Sequence, residues 1–299
     1  MDEIIKLGTI DQYNQLYGLE TLHPLVGVVD LTQATNSPNH VRINMNFYSL
    51  FLKQTVCGDL KYGKKQYDYQ EGTIVCFGPG QVIGIERDES IRPSSFGIIF
   101  HPDLIRGTSL GESIKQYSFF SYEVNEALHL SEEERQIIMD CFDKIRIELS
   151  HAIDKHSKTL IAKNIELLLD YCMRFYERQF NTRNKVNKDI LVQFENLLDD
   201  YFQEENVKKN GYPTVKYFAD KLFLSPNYFG DLIKRETGQT AQQHILSKLI
   251  NLAKDRIVNA SQSVSEIAYG LGFQYAQHFS RLFKKNVGCT PNEYKKLNI

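Results

Sequence analysis

Between residues 24 and 101 the apolar positions come in short runs: VGVVDL, INMNFYSLFLK, GTIVCFGPGQ and SFGIIFH. The runs are rich in β-branched and aromatic side chains and are broken at short intervals by Gly, Pro, Asn or Asp, which predicts antiparallel strands closed into a small barrel or sandwich. Within FYSLFLK the alternation of Phe47, Ser49, Phe51 and Lys53 against Tyr48, Leu50 and Leu52 does not choose an inner face.

After Ser131 the period becomes helical. Ser131-x-x-Glu134 is a capping box, in which the two side chains satisfy free amide donors of a first turn, and helix is predicted to about Leu149. A second amphipathic stretch, residues 157–180, carries Leu160, Ile161, Ile165, Leu168, Leu169, Cys172, Phe175 and Tyr176 on one stripe. Periodicity shows a stripe but not its partner, so the two helices either pack on the barrel or form a dimerisation pair. The polar, basic NTRNKVNK at 181–188 has no apolar anchor and is read as a hinge.

The last hundred residues contain an internal repeat. At an offset of 49, Ala219 matches Ala268, Leu222 matches Leu271 and Leu224 meets Phe273. At an offset of 50, Phe229 matches Phe279, Leu232 matches Leu282, Lys234 matches Lys284, Gly238 matches Gly288 and Thr240 matches Thr290. The one-residue slip falls where a turn would separate two short helices, the cheapest place for an insertion. Each copy therefore reads as a helix-turn-helix. Ser225-Pro226 and Ser263-x-x-Glu266 are helix starts, as is Thr290-Pro291-x-Glu293, while Gly238 and Gly288 are helix stops. Small Ala219 and Ala268 suit close helix approach, and Gly272 gives the second turn a permissive backbone. A continuous helical pattern over about 240–258, with Ile245, Leu249, Leu252, Ala253 and Ile257 as its apolar stripe, would join the copies.

Charge changes the picture. The whole chain carries only −2, but residues 208–299 hold 14 Lys and Arg against 6 Asp and Glu, a net charge of +8, leaving −10 for residues 1–207. The basic tail is the candidate polyanion binder. At 42% hydrophobic and 24% charged, the composition is that of an ordinary globular chain of two domains. No apolar run is long enough to cross a bilayer and the N-terminus lacks a basic-then-apolar leader, so a cytoplasmic location is expected. Cys57, Cys76, Cys141, Cys172 and Cys289 are odd in number, scattered and without a CxxC pair, as reduced thiols would be.

The segment AKDRIVNASQSVSEIAYGLGFQYAQHFSRLFKKNVGCTPNEYKK resembles the signature of the AraC/XylS-type transcription regulators of bacteria, with IA-x-x-x-GF followed by FSRLFKK-x-x-G-x-TP-x-x-Y. FYSLFLK, GTIVCFGPGQ and FHPDLI resemble the cupin-like sensor half of such regulators. The resemblance implies an α+β chain: an antiparallel, cupin-like β-barrel with flanking helices over residues 1–130, a helical dimerisation segment and hinge over 131–185, and an all-α DNA-binding domain over 190–299. That domain would hold two helix-turn-helix units joined by a linking helix. Family members read base edges with the second helix of each unit and keep the two aligned about one DNA turn apart. The partners implied are double-stranded promoter DNA, a second copy of the chain and RNA polymerase. A small-molecule effector is left open, as is an N-terminal half that is an enzyme or a protein-interaction module.

Carried over by position, the second unit presents Ala276, Gln277, His278 and Arg281 for base reading. Arg281 could donate two bonds to guanine, Gln277 could pair with adenine and Ala276 could meet a thymine methyl. Lys284 and Lys285 would face phosphates, against the alternative of a solvated basic face; His278 could equally be a hydrogen-bonding surface histidine. The first unit presents Asn227, Gly230 and Asp231, with Lys234 and Arg235 toward the backbone. Asp231 stands where the family more often has a basic residue; it could accept from cytosine N4, but repulsion by phosphate favours pairing with a neighbouring Lys or Arg.

No catalytic residue, metal ligand or cofactor is expected. GDLKYGKKQYDYQEGTIVCFGPG, where a cupin enzyme would place metal-binding residues, has no histidine, and His23, His40, His101 and His129 lie far apart. Neither a P-loop nor a His-Glu-x-x-His pair occurs.

Overall fold

The computed structural model describes residues 4–53, 60–61, 72–85, 94–123, 126–182, 184–202, 206–207, 210–259 and 262–298. It divides into two compact units, Met1–Thr182 and Arg183–Ile299.

The first unit holds two sheets. One has the order β1-β3-β7-β5, formed by β1 (Ile4–Leu7), β3 (Val41–Met45), β7 (Val82–Ile85) and β5 (Leu60–Lys61). The other has the order β2-β8-β4-β6-β9, formed by β2 (Val26–Asp30), β8 (Ser95–Phe100), β4 (Tyr48–Lys53), β6 (Thr73–Phe77) and β9 (Leu128–His129).

Two expectations need correction. Among the described residues no strand of one sheet pairs with a strand of the other, so the barrel is not closed. The sheets are also not wholly antiparallel, because β1 pairs with β3 in parallel. Helix α1 (Ile10–Tyr17) follows β1 and carries the chain to the other sheet, so β1 cannot turn back on itself as a hairpin strand. INMNFYSLFLK likewise yields two strands in different sheets, with Phe47 fully buried at the crossing.

Register explains why alternation failed to name an inner face. Paired residues share a side of the sheet, and Phe51, Val75 and Ile99 join Ile43, Met45 and Ile83 of the other sheet in one core. Their neighbours Leu50, Ile74 and Ile98 are equally buried on the opposite side, where Phe96 meets Phe142 of α4 (Glu132–Ser150) at 6.1 Å between ring centroids. A sheet covered on both faces has no polar side to alternate with. Gly97 is required by packing: a Cβ there would stand 2.4 Å from Cδ1 of Phe51.

Helix α4 starts at the expected capping box, Ser131 Oγ accepting from Glu134 N at 3.3 Å and Glu134 Oε2 accepting from Ser131 N at 2.9 Å. Helix α5 (Ser157–Thr182) buries Ile161, Ile165, Leu168, Leu169, Cys172, Phe175 and Tyr176 inside this unit. Leu160 (45%) and Leu167 (39%) remain exposed. Arg178 bonds Glu134, and Gln179 serves β9 by accepting from His129 N at 2.8 Å and donating to Ala127 O at 3.1 Å. The short helices α2 (Pro102–Ile105) and α3 (Ser109–Ser113) follow β8 and pack against α5. Cys76, Cys141, Cys172 and Cys289 are free thiols; Cys57 lies outside the described residues.

The second unit is helical. It begins with α6 (Asn184–Tyr201), so the segment read as a hinge is helix on both sides of Arg183, which lies outside the described residues. Then come α7 (Val215–Lys221), α8 (Pro226–Thr237), α9 (Ala241–Asn259), α10 (Val264–Gly270), α11 (Ala276–Val287) and α12 (Pro291–Asn298). Buried Phe194 of α6 meets Phe218 and Phe229 edge-on at 5.3 and 5.1 Å, forming the core of the first copy of the repeat. Phe279, Phe283 and Tyr294 form that of the second. Ile245, Leu249, Ala253 and Ile257 are buried along α9, which packs against both copies.

Candidate nucleic-acid interface

Each copy of the repeat is two short helices around a tight turn. Ala219 and Ala268 are fully buried, and their carbonyls accept from the amides of Leu224 and Phe273, three residues after the end of each first helix. The second helices end at Gly238 and Gly288, both left-handed, with φ of 73° and 91°.

At roughly 100° per helical residue, Gln277, His278, Lys284 and Lys285 lie on one face of α11 centred on Arg281, and all five are exposed. Buried Phe279 and Phe283 mark the opposite side. Ala276 is half-buried and turns with Ser280 and Val287 toward the flank beside Phe283, so the structure does not bring it together with the exposed group. The face carries no carboxylate, and Lys284 and Lys285 sit in the last turn, where positive charge suits the negative end of the helix dipole.

The matching face of α8 holds Asn227, Lys234 and Arg235, exposed, around half-buried Gly230 and Asp231. Neither Asp231 nor Arg235 lacks a partner, and their spacing of four residues, acid first, favours attraction along the helix. The two faces thus differ at their centres, a cation in one and an anion in the other.

Their entrances differ as well. Helix α8 is capped by Ser225, whose hydroxyl accepts from Tyr228 N at 3.2 Å, with both residues buried. At the same places α11 has Tyr275, which makes no side-chain cap bond, and His278, and both are exposed. Their rings lie 5.4 Å apart. Tyr275 was not among the sequence-derived candidates, although the repeat places it opposite Ser225. Helix α6 was also missed, despite the spacing of Ile190, Phe194, Leu198 and Tyr201.

Residues 107–111 spell Gly-Thr-Ser-Leu-Gly, the spacing of a hydrolase nucleophile turn. Here Ser109 opens α3 rather than a strand-to-helix turn, donates to Glu166 Oε2 at 2.8 Å and accepts from Lys163 Nζ at 2.9 Å. Among the described residues no histidine joins these bonds. Among the described residues no group of three or more His, Cys, Asp or Glu converges on a metal position, and no helix is long and apolar enough to cross a membrane.

A family model described as a helix-turn-helix domain matches residues 218–297. The chain is similar to the uncharacterized transcriptional regulatory protein YesN of Bacillus subtilis, 39% identical over 86 residues, covering 28% of this chain and 23% of that protein. It is also similar to the probable transcriptional regulator LumQ of Photobacterium leiognathi, 23% identical over 233 residues, covering 78% of this chain and 86% of that one. Among solved structures, the C-terminal domain of the response regulator yesN from Fusobacterium nucleatum aligns at 25% identity with a TM-score of 0.32, covering 36% of this chain and 98% of that domain. The chain thus spans about a quarter of the length of the first of these curated relatives and most of the second.

Proposed function

We propose that this chain is a sequence-specific, DNA-binding transcription regulator of the AraC type, which reads two successive major grooves of promoter DNA with α8 and α11. The observation that carries this reading is the exposed, carboxylate-free face of α11 around Arg281, with the matching face of α8, centred on Asp231, in the other copy packed on the same helix α9. A helix fits the major groove, a guanidinium at the centre of its face matches the two acceptors of guanine, and flanking lysines match phosphates. The helix-turn-helix match over residues 218–297 and the regulator relatives support the same reading.

The first unit is then the regulatory half, cupin-like in ancestry. It works by dimerisation, by a small-molecule effector or by both, and RNA polymerase is the protein partner of the assembly. Mobility shifts with the full chain test the core of this proposal. Affinity for duplex DNA is expected to fall steeply with salt. Arg281→Ala is expected to cost about 1 to 3 kcal/mol and to relax preference at one base pair, while Lys284→Ala weakens all sequences alike and lowers the salt slope by about one. A full chain that binds no duplex at low salt overturns the reading.

A further inference from the structure

Tyr275 is the residue at which the two copies of the repeat part most clearly. In the first copy the corresponding Ser225 is buried and caps α8, and the residue three further on, Tyr228, is buried as well. In the second copy the polarity is reversed. Tyr275 is 61% exposed, leaves the start of α11 without a side-chain cap, and turns its ring toward exposed His278. That contact sets Tyr275 on the flank of the face centred on Arg281.

Beside this pair lies an open groove of about 510 Å³, lined by Tyr212, Phe273, Gln274, Tyr275, His278 and Leu282 among others, mostly apolar in surface and with no acidic side chain in its lining. Its floor is fixed by the near contact of Gly211 with Gly272, where a Cβ would come within 2.5 Å of the Gly211 carbonyl. The groove is continuous with the recognition face through His278, and it belongs to a strongly basic segment of the chain. The lining carries no charge to repel a phosphate, and its apolar surface suits the sugar face of a strand while its amide and hydroxyl groups suit the phosphates.

We propose that Tyr275 is a DNA-backbone contact: it lies against the sugar-phosphate strand bordering the major groove that α11 enters, its ring on the deoxyribose and its hydroxyl donating to a phosphate oxygen. This rests on the DNA-binding reading above and adds to it a neutral positioning residue where the first copy has only a structural cap. A serine cap typically stabilises a helix, so an exposed tyrosine in its place gives up stability, as functional positions often do.

The test uses the full chain with two fluorescent duplexes of equal length, one recovered by randomised-site selection with the wild type and one of random sequence. Tyr275→Ser restores the cap of the first copy, and is expected to leave the melting temperature unchanged or raise it. The dissociation constant should nevertheless rise roughly three- to tenfold, the range of one neutral hydrogen bond with its packing. Because the lost group is uncharged and reads no base, both duplexes should weaken by the same factor and the slope against salt should not move. Tyr275→Phe should lose only part of this, about two- to threefold. A Tyr275→Ser chain that binds as tightly as the wild type, or that loses affinity only as its melting temperature falls, overturns the proposal. In that outcome a normal loss by Arg281→Ala leaves the DNA-binding reading standing, whereas a wild type that binds neither duplex overturns both.

Discussion

Phe223 and Gly272 occupy the same point of the two turns, and both are left-handed, with φ of 59° and 89°. The same geometry costs the two residues differently. A non-glycine residue in this region is strained by about 1 to 2 kcal/mol, yet Phe223 has room, at 70% exposure. Gly272 has none, since the Gly211 carbonyl and the Tyr212 amide occupy the place of a Cβ. Gly272→Ala is expected to destabilise the second unit by about 2 kcal/mol or more. Phe223→Gly should raise stability by up to about 1 kcal/mol, relief of strain outweighing added chain entropy. Urea denaturation of the two variants checks this, and equal tolerance at both turns would show that the backbone contact at Gly272 is unimportant.

Two capping carboxylates predict an acid limb in the stability of the second unit. Glu266 accepts from Ser263 N at 2.7 Å and from its hydroxyl at 2.8 Å, and Glu293 does the same at Thr290. The backbone bonds foremost, then those from the hydroxyls, hold both carboxyls below the usual glutamate range. A pKa lowered by folding contributes stability above the unfolded value, about 4.3, and that contribution is lost as pH falls through the lowered value. Denaturation midpoints are therefore expected to drop below about pH 4.3, and the double variant Glu266→Gln/Glu293→Gln should show a flatter acid limb. An unchanged limb in the double variant would assign the acid sensitivity elsewhere.

Asp231 standing opposite Arg281 in the repeat predicts unequal labour between α8 and α11. Asp231→Ala is expected to leave the selected sequence nearly unchanged, and Asp231→Arg to raise affinity for random duplex by removing repulsion and adding attraction. Randomised-site selection decides the matter. If Asp231→Ala scrambles the motif while Arg281→Ala preserves it, α8 is the reader.

A dimer through α5 would have to use what the core leaves over. Only Leu160 of the expected stripe on α5 stays exposed, with Leu167 one further two-turn step along. The full chain is expected to sediment as a dimer at tens of micromolar, roughly where moderate interfaces are populated, and Leu160→Glu/Leu167→Glu as a monomer. A wild type that is monomeric there would confine α5 to the core.

Much of the second unit was legible because its information is local. Capping boxes at Ser263 and Thr290, a proline after Ser225, stop glycines and a repeat with one slip are all written within a few residues of where they act. The exposed candidates Gln277, His278, Arg281, Lys284 and Lys285 follow from helical spacing once the buried side is named by Phe279 and Phe283. By the same spacing Ala276 falls outside this group, on the flank with Ser280 and Val287. Tyr275 could have been found from its alignment with Ser225, since a cap missing from one copy of a repeat is itself a signal.

What the sequence determined by itself was the change of period after Ser131, the paired helix-turn-helix units and the placing of positive charge on them, since each depends on neighbours within one or two turns. Only the tertiary structure decided how the strands are shared between two open sheets, which side of β4 meets the core, and that all of the expected stripe on α5 except Leu160 is buried inside its own unit. Those outcomes depend on pairings between distant residues, such as Phe51 with Gly97 and Ile5 with Ile43. On a sheet covered on both faces, Leu50 and Phe51 are both buried, so no hydropathy contrast remains in the chain to record which of them faces the other sheet.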